Sequence, residues 1–332
     1  MNKDMSFDSL FDSFNRLKIG VIGDVMLDTY WWGKVDRISP EAPVPVVAVT
    51  KREQRIGGAG NVALNIRALG ANVHVMSVLG ADDDGNQLSA LMKNEHIGSE
   101  YMVHSADRLT TNKIRIISRN QQMMRLDAEI TSYLSPGDEN LLLDSFNRYL
   151  HEVKPDLVIL EDYNKGVLTE KVISHVIGSC RNLGIPTAVD PKRKNFFAYA
   201  HADIFKPNLH EAKDALNLLS VEVTEDSLSG IHALLHEKLE HRVSFITLSE
   251  KGVFYQDGTS KALIPTHIRS IADVSGAGDT VIAVASVVFA VTGNVHLMAD
   301  VANIAGGLVC EEVGTVAINK SRLLQECKHL LQ

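Results

Sequence analysis

Short apolar segments rich in β-branched residues alternate along this chain with longer amphipathic segments. Five of the apolar segments have strand length and are bounded by Gly, Pro or Asp: residues 18–24, 73–79, 157–160, 187–189 and 245–248. The amphipathic segments have helical periodicity and cover residues 61–69, 85–94, 138–151, 169–183, 210–219 and 228–239. Strands and helices in alternation predict an α/β fold with a doubly wound, mostly parallel sheet flanked by helices.

Two segments interrupt this alternation. Residues 29–50 are rich in aromatic residues, Pro and Val, and residues 108–127 contain strand-like stretches at 112–118 and 121–127. We predict that both segments form a small β-sheet that projects from the main sheet as a lid. Residues 319–331 predict a closing helix.

Composition narrows the class of protein. The formal net charge is −8, whereas proteins that bind nucleic acids are usually basic, so we expect no nucleic-acid partner. The cysteines, Cys180, Cys310 and Cys327, are widely spaced, which disfavours a disulfide framework or a zinc site and favours reduced thiols in the cytoplasm. The longest apolar run, residues 281–292, predicts a buried helix too short to span a bilayer, so we expect no membrane partner either.

The most informative motif is Asp273-Val-Ser-Gly-Ala-Gly-Asp279, which an apolar helical run follows directly. Small residues before a helix let backbone N–H groups point at a phosphate, and the helix dipole adds positive potential. Asp279 lies at the start of that helix. Its carboxylate either caps the helix or takes a proton from a hydroxyl that attacks a phosphoryl group held by the same loop. The flanking Asp273 and the motifs below favour the second interpretation.

A second glycine-rich turn contains Gly57, Gly58 and Asn61 and leads into an amphipathic helix. It serves either as a tight turn with close packing or as a point where the backbone approaches a ligand and Asn61 bonds hydroxyl groups. Asp24 and Asp28 follow the first predicted strand. They form either a solvated strand end with a helix cap or a pair of acceptors for vicinal sugar hydroxyls.

Asn208 and Glu211 have the spacing of a capping box at a helix start. The alternative is that Glu211 orders water around Mg²⁺, an ion that usually keeps several waters near phosphates.

The turn at Gly57 is neither a Walker A loop, since no Lys-Ser/Thr follows it, nor a G-x-G-x-x-G dinucleotide fingerprint.

Together these motifs resemble the ribokinase-like (PfkB) carbohydrate kinase family over about residues 19–318. The resemblance implies one kinase domain over residues 1–332 that uses ATP and Mg²⁺, and it leaves activation by a monovalent cation open. It implies that Asp279 is the catalytic base and that the backbone of Gly276, Ala277 and Gly278 forms the anion hole. The nucleotide-side positions that it implies are Asn208, Thr247, Ser249, Gly252, Asp273, Asn303 and Gly306.

A narrower resemblance lies in four stretches: Asp36-Arg-Ile-Ser-Pro-Glu41-Ala-Pro-Val-Pro-Val, Ser118-Arg119-Asn120-Gln121-Gln122 with Arg125-Leu-Asp127, Asp162-Tyr163-x-Lys165-Gly166 and Asp190-Pro-Lys192. They are similar to the D-glycero-β-D-manno-heptose 7-phosphate kinase group. This similarity implies phosphorylation at the C1 hydroxyl to the 1,7-bisphosphate, in ADP-heptose synthesis for lipopolysaccharide.

A substrate that already carries a phosphate needs cations near the sugar pocket, although most Lys and Arg side chains are simply solvated. Among the candidates we favour Lys192 for the phosphate, because it follows a strand-end Asp-Pro. The substrate-binding positions that the resemblance implies are Asp24, Asp28, Gly57, Gly58, Asn61, Arg119, Asn120, Arg125, Asp162, Lys165, Asp190 and Lys192.

The chain departs from that group at three positions: Gly60 stands where Ala is commoner, Glu161 where Ser is commoner, and Arg193 where Gly often follows Asp-Pro-Lys. None removes an expected catalytic group, but Arg193 bears on substrate identity. Many members of the group carry a C-terminal nucleotidyltransferase domain with a His-x-Gly-His motif. This sequence lacks that motif, so we expect the kinase step alone.

Two other functions fit the same motifs. One is a ribokinase-type kinase for another sugar phosphate or a nucleoside, and the other is a non-catalytic sugar or nucleotide sensor on the same fold. The apolar surface of the predicted lid, with Trp31, Trp32 and residues 44–49, also predicts a homodimer through that sheet, because an exposed apolar sheet is a liability unless it is covered.

Overall fold

Strands and helices alternate through most of the chain. A computed structural model describes residues 5–119, 121–258, 260–267 and 269–331. The strands are β1 (Lys18–Gly23), β2 (Val25–Ile38), β3 (Pro45–Gly58), β4 (Asn72–Met76), β5 (Val78–Gly80), β6 (Val103–Ser105), β7 (Asn112–Ser118), β8 (Gln121–Ala128), β9 (Leu157–Glu161), β10 (Thr187–Asp190), β11 (Ile204–Phe205), β12 (Val243–Thr247), β13 (Val253–Asp257) and β14 (Ser260–Ile264).

The helices are of ordinary globular length, and most begin at a Ser, Thr, Asp or Asn cap. They are α1 (Phe7–Ser13), α2 (Ala59–Ala68), α3 (Asp83–Asn94), α4 (Pro136–Val153), α5 (Glu170–Leu183), α6 (Leu209–Ala215), α7 (Glu225–Leu239), α8 (Ala277–Thr292), α9 (Val295–Val309) and α10 (Lys320–Leu330). Single 3₁₀ turns form at Phe14–Arg16, Arg193–Asn195 and Ser249–Lys251.

The main sheet has eight strands in the order β14-β13-β12-β11-β10-β9-β1-β4. The pairs from β4 to β12 are parallel, whereas β13 and β14 pair antiparallel at one edge. One apolar core packs against α2, α8 and α9, and a second packs against α4, α5 and α7. The predicted doubly wound, mostly parallel sheet flanked by helices is therefore confirmed.

Some local predictions were wrong. The segment 73–79 forms two strands in different sheets, because Ser77 interrupts it and donates its hydroxyl to Gly23 O at 2.6 Å. The helix predicted over 210–219 ends at Ala215, shortly before Asn217 adopts a left-handed conformation at φ 55°. We did not predict β11, which has two residues and so offers no periodicity, nor the β13–β14 hairpin.

A second sheet has the strand order β3-β2-β7-β8 and confirms the predicted projecting β layer. β2 leaves the main sheet directly after Asp24, and β3 returns into α2 through Gly58, whose φ of 60° makes the turn. β7 pairs parallel with β2, starting at Leu27 and Asn112. The strands thus begin at the main sheet itself and extend beyond the predicted limits of 29–50 and 108–127.

One face of the second sheet is charged. In the strand register Asp28 lies beside both Arg55 and Lys113, and Arg115 lies beside Arg125. Because side chains alternate between faces along a strand, these residues share one side of the sheet, here called the charged face. Arg55 donates from Nη1 to the carbonyl oxygen of Thr315 at 3.1 Å, which directs this part of the charged face toward the loop between α9 and α10.

The opposite face of the second sheet is apolar. Trp31, Ile116 and Met124 lie side by side across β2, β7 and β8. Met124 is 55% exposed and Leu126 is 43% exposed.

The apolar run at 281–292 is the body of α8, which is buried on all sides from Val281 to Phe289, as predicted. Among the residues that the structure describes, none of the helices has the length and apolarity to cross a membrane.

Candidate active site

Polar side chains collect at the carboxyl ends of β1, β9 and β10. The chain proceeds from β1 to β4 on one side and returns to β9 on the other, so the crevice between β1 and β9 is a topological switch point, where ligands bind in such sheets. Asp24 follows β1, Glu161 ends β9 and Asp190 ends β10. The N-terminus of α8 faces the same crevice.

Asp279 lies in the first turn of α8 and is only 5% exposed. Its Oδ1 accepts the hydroxyl of Tyr163 at 2.6 Å, and its Oδ2 accepts Nδ2 of Asn61 at 2.7 Å. Burial raises the pKa of Asp279 to about 6, although both hydrogen bonds act in the opposite direction. Gly276 takes the N-cap position, so the alternative in which Asp279 caps the helix does not hold.

The loop before α8 is held by Asp273. Its Oδ1 accepts the backbone N–H and the hydroxyl of Ser275, and its Oδ2 accepts the backbone N–H of Gly314 at 2.9 Å. Gly276 has φ 77°, and a Cβ there would lie 2.9 Å from Nδ2 of Asn61, so only glycine fits. The loop therefore presents the backbone of Gly276, Ala277 and Gly278, at a helix N-terminus whose first amides lack helical acceptors.

Three carboxylates meet beside this helix start. Asp190 and Glu161 are register partners on β10 and β9, and oxygens of Glu161, Asp190 and Asp279 all lie within 4.8 Å of one another. We call these three residues the acidic cluster. Burial, together with Asp190 and Asp279, raises the pKa of Glu161 well above its ordinary value.

Two lysines border the acidic cluster. Lys206, 3% exposed, places Nζ 2.7 Å from Asp190 Oδ2. Lys192 places Nζ 3.5 Å from Asp190 Oδ1 and 2.6 Å from Glu211 Oε1. Burial lowers the pKa of Lys192, but the nearby carboxylates of Asp190 and Glu211 have the larger combined effect and raise that pKa. The lysine predicted to bind a substrate phosphate is thus already paired with carboxylates.

Asp24 has a role that sequence reasoning missed. It is 1% exposed, and its carboxylate accepts backbone N–H groups from Tyr163 (2.8 Å), Lys165 (3.0 Å) and Val167 (3.1 Å). The interpretation as a solvated strand end is wrong, because the carboxylate is enclosed by the loop after β9. Asp162 is similar: its oxygens accept the backbone N–H of Asn164 and the hydroxyl of Tyr199, and burial raises its pKa to about 6.

Asp28 and the two glycines lie where the second sheet meets the main sheet. Asp28 Oδ1 accepts Nη1 of Arg115 at 2.5 Å. A Cβ on Gly57 would lie 2.5 Å from Asp28 Oδ2, and a Cβ on Gly58 would lie 2.3 Å from Asp24 O. Close packing therefore accounts for both glycines, and no ligand is needed to explain them.

The other predicted cations do not gather at one point. Arg125 shares the charged face but pairs with Asp127 on its own strand, and Arg119 is exposed at the β7–β8 turn with φ 51°. Lys165 pairs with Glu129 at 2.7 Å. Asn120 lies outside the described residues.

Lys113 is the cation that the sequence did not single out. Its ammonium lies 5.7 Å from the ring of Tyr163, as does that of Lys192. Lys113 is partly buried and has no ion-pair partner within the described part of the chain. Burial lowers its pKa, and so does the neighbouring Lys165.

On the nucleotide side, Asn208 and Glu211 form the complete capping box. Glu211 Oε2 accepts the backbone N–H of Asn208 at 2.8 Å, so the capping interpretation is confirmed and both Glu211 oxygens are in use. The backbones of Asn208 and Thr247 form an isolated parallel β-bridge. The other predicted positions lie on neighbouring elements. Ser249 (φ 55°) and Gly252 (φ 96°) lie at the 3₁₀ turn after β12. Asn303 and Gly306 lie in α9, where Nδ2 of Asn303 donates to the carbonyl oxygen of Pro265 at 2.9 Å.

A family model described as pfkB family carbohydrate kinase matches residues 16–322. The chain belongs to the pfkB family of carbohydrate kinases. It is therefore a sugar kinase, and kinases of this family use ATP.

Two curated relatives of this pfkB kinase are named bifunctional protein HldE. The one from Geotalea uraniireducens (strain Rf4) is 40% identical over 324 residues and aligns with 97% of this chain. The one from Methylobacillus flagellatus (strain ATCC 51484 / DSM 6875 / VKM B-1610 / KT) is 39% identical over 306 residues and aligns with 92%. The chain spans 65% and 62% of their lengths.

Solved structures show the same ribokinase-like fold. Phosphofructokinase-2 from Escherichia coli in complex with potassium has a TM-score of 0.79 and 17% identity, over 95% of this chain and all of that one. Arabidopsis thaliana ribokinase complexed with ribose and ATP has a TM-score of 0.69 and 17% identity, over 93% and 99%.

We predict that Tyr163→Phe lowers kcat of this pfkB kinase about tenfold or more and changes the KM for ATP much less. The substitution removes a charge-assisted hydrogen bond that orients Asp279 but leaves the nucleotide side untouched. Steady-state kinetics at saturating sugar would measure both constants.

Tyr101→Phe is the matched control, because Tyr101 also donates to a carboxylate, Glu152 at 2.7 Å, away from the crevice. Equal kcat values for the two variants would show that Tyr163 does not position Asp279.

Proposed function

We propose that this protein transfers a phosphoryl group from ATP to the C1 hydroxyl of D-glycero-β-D-manno-heptose 7-phosphate. The product would be the 1,7-bisphosphate, formed in the cytoplasm on the route to ADP-heptose and lipopolysaccharide. The observation that carries this proposal is the charged face opposite Asp279, where Lys113, Arg115 and Arg125 line up across two strands. Ser118, Gln121 and Gln122 of the heptose-kinase-like stretch lie in the same two strands.

The proposed chemistry begins at the start of α8. Amides of the 276–278 backbone and the helix dipole would hold the transferred phosphoryl group. Asp279 accepts the proton of the sugar hydroxyl as that oxygen attacks in line. Asn61 and Tyr163 hold the carboxylate of Asp279 in place, so Asn61 would act through Asp279 as well as on the sugar.

Burial of Asp279 suits this role. A base whose pKa lies near 6 accepts a hydroxyl proton more readily than an ordinary Asp carboxylate and is still largely ionised at neutral pH. Lys206, beside Asp190 and 3.9 Å from the position of a Cβ on Gly278, would add positive charge near the phosphoryl group. Mg²⁺ that accompanies ATP supplies charge neutralisation for the phosphates.

The sugar phosphate would bridge the two sheets. Its C1 hydroxyl would face Asp279, and its 7-phosphate would face Lys113 and the arginines of the charged face, which suits a dianion. The second sheet would then act as a lid that excludes water during transfer. Asp28, already bonded to Arg115, keeps its second oxygen as an acceptor for sugar hydroxyls.

We predict that the purified protein, given ATP, Mg²⁺ and a sugar panel, releases ADP with the heptose 7-phosphate and not with ribose, fructose 6-phosphate or a nucleoside.

Asp279→Asn should lower kcat by about two orders of magnitude or more and leave ATP binding in place, because only the base is lost. A coupled ADP assay and calorimetric titration of ATP would measure these effects.

Turnover of another sugar in the panel would leave the kinase activity supported but would contradict the heptose assignment. Near-normal turnover by the Asp279→Asn variant would show that Asp279 is not the catalytic base. Bound ATP without turnover of any sugar would favour a sensor.

We predict that Lys113→Met raises the KM for the sugar phosphate about tenfold or more, with a smaller change in kcat. The substitution keeps chain length but removes the ammonium proposed to face the 7-phosphate. Lys171→Met, on α5, is the control, since Lys171 pairs with Glu139. An unchanged KM for Lys113→Met would place the phosphate elsewhere.

We predict a homodimer through the apolar face of the second sheet, because exposed Met124 and Leu126 need cover. Light scattering at micromolar concentration should give about twice the chain mass of 36.4 kDa, and Met124→Glu should restore the single mass. A wild-type protein that scatters as a monomer would contradict the dimer.

A further inference from the structure

Glu161 is the most unusual side chain in the crevice. It is fully buried, and neither of its carboxylate oxygens has a hydrogen-bond partner in the described residues. Asp190 Oδ1 likewise accepts no hydrogen bond there. A buried carboxylate without donors is costly, so its oxygens are expected to meet a ligand that the protein itself does not provide.

The charges around Glu161 do not balance. When they are ionised, the three carboxylates of the acidic cluster face only two ammonium groups among the described residues, those of Lys206 and Lys192, and Lys192 is shared with Glu211. ATP phosphates bound at the start of α8 would add further negative charge beside this cluster. A group of high positive charge between the carboxylates and the phosphates would remove the repulsion.

We propose that Glu161 and Asp190 bind a divalent cation through direct carboxylate ligands, next to the start of α8. The proposal rests on the proposed phosphoryl transfer, which brings phosphates to the same place. Hard carboxylate oxygens suit Mg²⁺ or Mn²⁺, and such sites usually combine one or two carboxylates with water and phosphate oxygens. Asp279 borders the ion but keeps its bonds to Asn61 and Tyr163, so it remains available to the sugar hydroxyl.

The same geometry speaks against Glu211 as the main contact of the ion. Its Oε1 is bonded to Lys192 and its Oε2 to the backbone of Asn208. A cation would have to compete with both, whereas the oxygens of Glu161 are free of such partners. Protonation of Glu161 alone would satisfy only one of its two oxygens and would leave the phosphates beside Asp190.

The test is Mn²⁺ binding to the full chain without nucleotide or sugar, followed by electron paramagnetic resonance. Wild-type protein should bind one Mn²⁺ that Mg²⁺ displaces. Glu161→Gln and Glu161→Ser should weaken this binding about tenfold or more, because each removes a ligand charge. Glu161→Gln should unfold no more easily than the wild type in thermal melts, since it keeps the size of the side chain and replaces a buried carboxyl group that has no hydrogen-bond partner within the described residues.

Two control variants complete the test. Glu211→Gln should leave Mn²⁺ binding within about twofold, because its carboxylate is engaged elsewhere. Asp279→Asn should lower kcat by about two orders of magnitude or more yet retain most of the Mn²⁺ affinity. Wild-type protein that binds no Mn²⁺, or a folded Glu161→Gln that binds it with unchanged affinity, would overturn the proposal. Mn²⁺ binding that depends on Glu161 in a protein without activity on any sugar would support this site and reject the proposed function alone.

Discussion

The carboxylate of Asp24 is the contact on which the geometry of the crevice depends. It is removed from water at the end of β1 and accepts three backbone amides from the loop that follows β9. Burial raises its pKa, but the three hydrogen bonds stabilise the ionised form. Because Tyr163 belongs to that loop, Asp24 determines where the tyrosine hydroxyl meets Asp279. A buried anion at the end of β1 therefore sets the orientation of Asp279, the base of the proposed reaction.

Close backbone approaches make this arrangement possible. A Cβ on Gly23 would lie 1.9 Å from the carbonyl oxygen of Glu161, so only glycine lets β1 and β9 end side by side. The same contact places Asp24 N on Glu161 O at 3.1 Å. The glycines after β3 and before α8 act in the same way on the other sides of the crevice. Glycine at these positions serves the packing that brings the charged groups together.

The strand–helix alternation predicted the main sheet well because short buried strands and amphipathic helices leave strong local patterns. The function of individual polar residues was harder to predict, because it depends on register. Asp24 was predicted to bind the sugar because nothing in its local sequence shows that the backbone N–H groups of a loop 139 positions away close over its carboxylate. Lys113 looked like an ordinary strand lysine, and only the β2–β7 pairing places it beside Asp28. The one available signal for Glu161 was its place before Asp-Tyr at a strand end, where a smaller residue is commoner in similar sequences.

The distribution of charge connects the second sheet to the chemistry. Lys113, Arg115 and Arg125 repel one another on the charged face, and within the described residues Asp28 and Asp127 offset only part of that repulsion. An anionic sugar bound there would lower the repulsion and would hold the face against the crevice, because β2 and β3 join the main sheet at Asp24 and Gly58. Phosphates bound at the start of α8, as proposed, would meet the opposite problem, an excess of carboxylates. Cations on the second sheet would thus serve the acceptor, and a cation at the strand ends would serve the donor, which keeps the two anions apart until the phosphoryl group moves between them.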